Sequence, residues 1–411
     1  MKLSEELEFR GFKAESTIKD SKSLDTRENK QFYWGADPSA DSLTIGNLAA
    51  LLMCACFVKH GYKPYLLVGG ATGQIGDPKE NGERELKPLD EIEHNKKCIK
   101  SQIERVMQNY LQQAGGRYQP LTMVDNFDWF KDMNYLDFLR TVGKAFSMTQ
   151  LLDRKFIQNR IGEGGSGISY AEFSYTLIQG YDFYHLYKEH GVALQLCGAD
   201  QFGNCSSGIH LIKRLENAEA DAWSTPLVID PVSGRKFGKS EGNAVWLASE
   251  GENSTTIFDF YQFWLNQPDD SVEYLMKFYT VYSPEEINEI LEEHQKAPEK
   301  RVAQKALAKS VTEIVHGVDK AAAAIKATEA IFGGSYENVD EFSGIFLKAN
   351  YQGDLLSNMV ELGLAKSKGE ARKLIEAGAV SYNGEKIGVD FVPEKSGIIK
   401  KGKNKIGVIS L

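Results

Sequence analysis

The sequence predicts an α/β fold class: a Rossmann-like parallel sheet, then an α-helical domain, then a small α+β C-terminal module. Three observations carry this. From Lys30 to about Asp230, short β-type runs alternate with helical stretches, the pattern of parallel strands joined by crossover helices. From Thr255 to Phe332 apolar residues instead recur at three- and four-residue spacing, as at Ile287, Ile290 and Leu291. After a Gly-rich, acidic stretch, the last segment carries local signals for a helix and a hairpin. The expected boundaries are 1–232 for the sheet domain, 233–332 for a loop and helical domain, 333–344 for a linker and 345–411 for the terminal module.

Taken in order, the first β-type run is Gln31–Trp34, which breaks at Gly35. An Asp37-Pro38-Ser39 turn follows, and a helix opens near Gly46, runs apolar from Leu48 to Val58 and stops at Gly61, a left-handed C-cap. A strand that hands over to a helix through small residues aims free backbone N–H groups and a positive dipole end at one point, which suits a phosphate. Pro64–Val68 reads as a buried strand ending in a loop from Gly69 to Asp77 that holds four glycines. Val192–Leu196 is another, ending in Cys197-Gly198-Ala199-Asp200-Gln201. Sites in parallel sheets collect at the carboxyl ends of strands, so the three loops predict one shared crevice. Near the end, Ser367 and Glu370 form a capping box, the helix they start ends at Gly378, and Val380–Ile387 is a hairpin turning at Asn383-Gly384.

Composition excludes several classes. The chain of 411 residues is 42% hydrophobic and 26% charged, enough apolar material for two or three packed domains. Its longest apolar run, Leu48–Val58, falls short of the roughly 20 residues that span a bilayer, and the charged N-terminus lacks an apolar signal core. A cytoplasmic protein with no membrane partner is therefore expected. Five cysteines without a CxxC pair read as free thiols of a reducing compartment, and no cysteine or histidine spacing predicts a structural metal. The net charge of −9 is unevenly spread: residues 345–411 hold ten Lys and one Arg against seven Asp or Glu, a balance of +4, which leaves −13 for the remainder. An acidic body with a basic tail points to a polyanion held in one place.

A second motif, Gly234-Arg235-Lys236-Phe237-Gly238-Lys239-Ser240, sets two lysines three residues apart among glycines. Such a cationic loop suits closure over a polyphosphate and neutralisation of the departing group. Alone it would be an ordinary basic turn; paired with the Asp-Pro-Ser loop two hundred residues earlier it predicts a nucleotide site.

At these two motifs the chain resembles the class I aminoacyl-tRNA synthetases. Tyr33–Leu48 is similar to the segment ending in their HIGH motif, and Lys236–Ser240 to their KMSKS loop. The resemblance is to the bacterial-type tyrosyl-tRNA synthetase family. It runs through GGATGQIGDP (69–78), VDNFDW (124–129), YAEFSYTLIQGYDF (170–183), GADQFGN (198–204) and KFGKSEGNAVWL (236–247), and residues 345–411 resemble the family's RNA-binding module.

The resemblance implies ligation of tyrosine to tRNA(Tyr) with ATP as substrate, Mg2+ on the ATP phosphates, and a homodimer. It implies that Tyr33 and Asp182 hold the substrate phenol, where each unpaired buried group left by phenylalanine would cost about 1–3 kcal/mol. Tyr175, Gln179 and Asp77 match the acceptors of the α-ammonium group, with Gln195 and Gln201 also at the tyrosine. Tyr175, Gln179 and Asp182 share one face of a predicted helix at four- and three-residue spacing. Gly35, Asp37, Gly46, Asn47, Gly198, Asp200, Lys236, Lys239 and Ser240 match the ATP site, Asp200 as acceptor of the ribose hydroxyls. The tyrosine carboxylate attacks the α-phosphate without a general base, so positioning and matched donors carry the rate. Lys236, Lys239, Ser39, Thr44 and Asn47 are the catalytic candidates, one such donor being worth roughly 3–4 kcal/mol. In the terminal module Lys366, Lys368, Arg372, Lys373 and the run from Lys400 to Lys405 would grip tRNA, although a packing element would show the same charge.

Two departures stand out. Thr44 and Asn47 replace the two histidines of the HIGH motif; Asn47 keeps a donor, whereas a Thr44 contact to phosphate would be weaker or water-bridged. Trp34 stands where the family often has a small residue near the ribose. A paralogue with a decayed site that keeps structured-RNA binding is the alternative, opposed by the intact lysine pair with Asp77, Asp182 and Asp200. An enzyme for another aromatic amino acid is opposed by Tyr33 and Asp182.

Overall fold

The computed structural model describes the chain except residues 79–81, 83, 153–154, 163, 230–238, 241–242, 334–341, 343 and 403–404. Five strands form the first sheet: β1 (Gln31–Ala36), β2 (Lys63–Val68), β3 (Thr122–Val124), β4 (Leu194–Gly198) and β5 (Asp221–Thr225). They are parallel throughout and ordered β3-β2-β1-β4-β5. Since β2 lies on one side of β1 and β4 on the other, the carboxyl ends of β1 and β4 flank the topological switch point, where ligands of such sheets bind.

β1 does not break at Gly35 as expected. Gly35 and Ala36 stay in register with Leu67 and Val68 of β2, because a central strand held on both sides outweighs the low β-propensity of glycine. β4 starts two residues later than expected. The Val192 N–H is taken by the Leu186 carbonyl at 3.3 Å, closing the helix Tyr170–His190, so pairing with β5 begins at Leu194.

Between β1 and β2 the helix Ile45–Lys59 is buried at every residue from Leu48 to Val58. A helix apolar around its circumference has to be enclosed, and this one forms the floor beneath the site. It ends where expected: Gly61 (φ +89°) donates its N–H to Val58. Beside its last turn, buried Glu6 accepts from Arg10, Lys59 and His60. Burial pushes the Glu6 carboxyl up, but those three partners outweigh it and hold it well below the usual carboxylate range. Cys56 lies close enough to Glu6 and His60 to share an ion, yet two cations already neutralise the carboxylate.

Two short strands, β6 (Lys239–Ser240) and β7 (Asn243–Ala244), pair antiparallel. The chain is then helical over Ile257–Leu265, Asp269–Tyr279, Pro284–Lys296, Val302–His316 and Val318–Gly333. β8 (Lys348–Asn350), β9 (Val380–Tyr382), β10 (Glu385–Lys386), β11 (Gly397–Lys401) and β12 (Lys405–Ser410) form a mixed sheet, ordered β10-β9-β11-β12-β8, over a core that includes Met359, Ile375 and Ile399. The Asn383-Gly384 hairpin joins β9 to β10 with φ of +46° and +86°, as a two-residue turn of this type requires. Ser367 Oγ accepts the Glu370 N–H, but the Glu370 carboxylate reaches back to the N–H of Lys366, one residue before the expected partner. The chain divides into two compact units, residues 1–247, 251–253 and 273–289 in one, and 248–250, 254–272 and 290–411 in the other. Among the described residues no helix is long and apolar enough to cross a membrane.

Candidate active site

A cavity of about 950 Å³ opens at the carboxyl ends of β1 and β4. Tyr33, Gly35, Asp37, Ser39, Thr44, Gly46, Asn47, Asp77, Tyr175, Gln179, Asp182, Gln195, Gly198, Asp200 and Gln201 all line it, so the three loops do converge. Lys236 lies outside the described residues. Lys239 and Ser240 are described as backbone only, and Lys239 pairs with Ala244, itself part of the cavity wall. Trp34, 3% exposed, lines the wall as well.

The deepest part is acidic. Asp37 accepts from the Tyr175 hydroxyl at 2.7 Å and from the Thr72 hydroxyl at 2.6 Å. Burial drives its pKa upward; those two hydrogen bonds and Arg84 oppose it, nearby Asp77 adds to it, and the carboxyl settles at about 6. The glycine of the following loop explains itself here: a Cβ on Gly69 would stand 2.5 Å from Asp37 Oδ1 and against the Thr72 hydroxyl. The resemblance assigns Asp37 to the nucleotide, but its bond to Tyr175 places its carboxylate among the acceptors expected for the amine. Asp77 accepts from Gln201 Nε2 at 3.1 Å and Asn204 Nδ2 at 3.3 Å, and burial raises its pKa too.

Asp182 is buried on the helix Tyr170–His190 and accepts from Asn126 Nδ2 at 3.1 Å and Trp129 Nε1 at 2.9 Å. Burial raises its pKa well above the usual range despite both donors. Tyr33 faces the same region, its ring 6.0 Å from that of Phe183. Two amide oxygens, Gln179 Oε1 and Gln195 Oε1, are buried with no hydrogen-bond partner. Such groups cost free energy unless a ligand satisfies them.

At the other end, Asn47 Oδ1 accepts from the backbone N–H of Thr44 at 3.0 Å and from its hydroxyl at 2.9 Å. Gly46 and Ser39 are exposed beside them. Gly198 approaches closely for a local reason: a Cβ there would come within 2.8 Å of Asp200 Oδ1.

Sequence reasoning missed four contributors. Asn126 and Trp129 sit in the VDNFDW segment, whose resemblance was visible without a role. Arg84, in a charged stretch of sequence that also holds Lys79 and Lys87, donates its Nε–H to the Asp77 carbonyl and lines the cavity. Thr72 had no signal beyond its place among glycines.

In the terminal module Lys366, Lys368, Arg372 and Lys373 are all exposed. They are unequal, since Lys368 Nζ is bonded to Asp354 at 2.6 Å. Of the run from Lys400, Lys401 donates to the Leu364 carbonyl, Lys400 lies over the Phe332 ring at 5.1 Å, and Lys403 is outside the described residues.

A parallel sheet with an acidic pocket and a helix N-terminus at its switch point is shared by many nucleotide-using enzymes, and comparison with known proteins narrows it to a class I aminoacyl-tRNA synthetase domain. The family model for class I tRNA synthetases (W and Y) matches residues 25–333, and that for the S4 domain matches 357–391. Within that class the chain belongs to the tyrosyl-tRNA synthetases. It is 37% identical to the tyrosine–tRNA ligase of Streptococcus mutans across all of both chains. It is 38% identical to that of Flavobacterium psychrophilum over 95% of this chain and 93% of the relative. A C-terminally truncated mitochondrial tyrosyl-tRNA synthetase of Aspergillus nidulans superposes with a TM-score of 0.71 at 28% identity, covering 80% of this chain and 94% of that one.

Proposed function

We propose that the chain activates L-tyrosine with ATP and transfers it to tRNA(Tyr), with the acidic end of the cavity holding the amino acid and the helix N-terminus holding the phosphates. The supporting observation is the pairing of acceptors at the closed end: the Asp37 and Asp77 carboxylates with the unpartnered Gln179 oxygen suit an ammonium group. Asp182 and Tyr33 take the phenol hydroxyl. The tyrosine carboxylate then attacks the α-phosphorus in line, a P–O bond forms, and pyrophosphate leaves. No side chain has to carry a proton in that step; Asn47, the Gly46 N–H, Ser39, Lys236 and Lys239 meet the developing charge. Asp200 at the rim receives the ribose hydroxyls.

The residues at the helix start are anion donors, which fits Mg2+ carried on the phosphate oxygens; when bound it neutralises phosphate charge. In the second step the terminal ribose hydroxyl of tRNA attacks the mixed anhydride, with Lys366, Lys368, Arg372 and Lys373 gripping the RNA. A homodimer is supported by six exposed large apolar or aromatic side chains between Phe127 and Tyr170, among them Tyr135 and Tyr170, whose hydroxyls lie 3.3 Å apart. A monomer in sedimentation would overturn the dimer. The deciding assay for the whole reading is exchange of pyrophosphate into ATP, run with tyrosine, phenylalanine and tryptophan. Exchange dependent on tyrosine is expected; none with any of the three would favour the RNA-binding alternative.

A further inference from the structure

The contact between Thr44 and Asn47 determines which atoms this chain offers to a nucleotide. A backbone N–H can only donate, so the Asn47 atom 3.0 Å from the Thr44 nitrogen has to be the amide oxygen. The Thr44 hydroxyl, 2.9 Å from the same oxygen, then donates its hydrogen there as well. An amide carries its oxygen and nitrogen on opposite sides, so with Oδ1 turned to Thr44, Nδ2 is turned away from it. Both residues line the cavity, and Thr44 is the N-cap of the fifteen-residue helix Ile45–Lys59.

The Thr44 backbone is itself clamped. The Ile45 N–H donates to Val245 at 3.1 Å, the Leu247 N–H to Leu43 at 2.8 Å, and the Tyr279 hydroxyl to the Ile45 carbonyl at 3.2 Å. Val245 follows directly on Ala244, the partner of Lys239. The reference against which the amide is oriented is therefore rigid.

We propose that Thr44 is a positioning residue that fixes the Asn47 amide with its NH2 group toward the ATP phosphates, so that the two act as one uncharged donor in place of two imidazoles. Thr44 gives no hydrogen bond of its own to phosphate, because its only proton is committed to Asn47. The inference rests on the tyrosine-activation reading and extends it to a residue that touches no substrate. It differs from a purely structural cap in two consequences: loss of the hydroxyl lowers the rate only through Asn47, and this donor contributes no titration near neutral pH.

The test uses the full chain and tyrosine-dependent pyrophosphate exchange, measuring kcat and the KM of each substrate for T44V, T44S, N47D, N47H and the double variant T44V/N47D. T44V is nearly isosteric and keeps the backbone N–H, so a fall in kcat/KM for ATP on the order of 10-fold with an unchanged KM for tyrosine is expected from loss of orientation. T44S keeps the hydroxyl and restores most of that loss. N47D still accepts both Thr44 bonds but exchanges a donor for an anion, and loses at least about 10²-fold. In the double variant the Thr44 change adds nothing further, since there is no amide left to orient. N47H adds an inflection near pH 6.5 to kcat/KM for ATP measured at saturating tyrosine, where the Asp37 titration that governs tyrosine binding does not enter. T44V equal to the unsubstituted chain, or T44V and N47D effects that multiply, would overturn the positioning role while leaving the function standing. Absence of exchange in the unsubstituted chain would overturn both.

Discussion

The Tyr175 hydroxyl donates to Asp37 across 2.7 Å, joining a side chain of the helix Tyr170–His190 to the loop that leaves β1. Through this bond two segments 138 residues apart in sequence build one wall of the pocket. Its chemistry is conditional: Asp37 carries a pKa of about 6, so its charge is poised rather than fixed.

Tyrosine binding is therefore expected to weaken in acid. The ammonium group needs Asp37 ionised, so binding below about pH 6 has to release a proton, and affinity falls about tenfold between pH 7 and pH 5. Asp77, whose pKa is raised in the same direction, adds to the trend. The stability of the ligand-free chain moves the opposite way. A carboxyl whose folded pKa is raised from 3.8 to about 6 contributes stability that is complete below 3.8 and lost as pH rises through 6, roughly 3 kcal/mol in all. Asp37→Asn is expected to raise the unfolding midpoint of the free chain at pH 7 while leaving only the smaller pH dependence of tyrosine affinity that Asp77 contributes. Calorimetric titration and thermal melts at pH 5 and 7 check both; a pH-independent affinity would remove Asp37 from the amine site.

Trp129→Phe tests the support behind Asp182. It removes the 2.9 Å donor to Oδ1 while keeping an aromatic ring against His185, on which the indole stacks at 4.5 Å. With one donor fewer the buried carboxylate is harder to ionise and freer to turn, at a cost of about 1–3 kcal/mol. The KM for tyrosine is expected to rise at least fivefold and the preference for tyrosine over phenylalanine to fall. Unchanged selectivity in the exchange assay would show that Asn126 alone suffices to hold Asp182.

Lys239→Ala is expected to slow tyrosyl-adenylate formation by at least about 10²-fold with little change in tyrosine affinity, as loss of one donor to developing phosphate charge does. Single-turnover adenylate formation measures it directly. A near-normal rate would leave Lys236, or the Asn47 amide, as the principal charge partner.

How far the site was legible in the sequence follows from what each residue does. Tyr33 lies on strand β1 just before its loop, Gly198 and Asp200 sit where β4 ends in a glycine-bearing turn, and Tyr175, Gln179 and Asp182 share a helix face readable from spacing. Asn126 and Trp129 act on Asp182 across 56 and 53 residues, and Arg84 reaches the backbone carbonyl of Asp77 around a loop, and contacts of these kinds leave no local pattern. Strand ends misread at Gly35 and Val192 for a similar reason, because partners in β2 and a helix carbonyl decided them. Thr44 was legible as a substitution but not as a function: its role depends on where its hydrogen goes.

The terminal module yields the last expectation. Arg372 and Lys373 are exposed on the helix Lys368–Glu376 and their side chains form no ion pair among the described residues, whereas Lys368 is committed to Asp354, whose carboxyl it holds well below the usual range. Phosphate contacts made by the first two cost no ion pair; one made by Lys368 first has to break its bond. Arg372→Ala with Lys373→Ala is therefore expected to weaken tRNA binding more than Lys368→Ala does. The salt dependence should follow, the slope of log K against log[salt] falling by about two phosphate equivalents for the pair. Filter binding of tRNA(Tyr) at several salt concentrations, beside the charging rate, makes the comparison. An equal effect of Lys368→Ala would mean that Asp354 releases its lysine to the RNA, and an unchanged slope for the pair would place the grip elsewhere on the basic module.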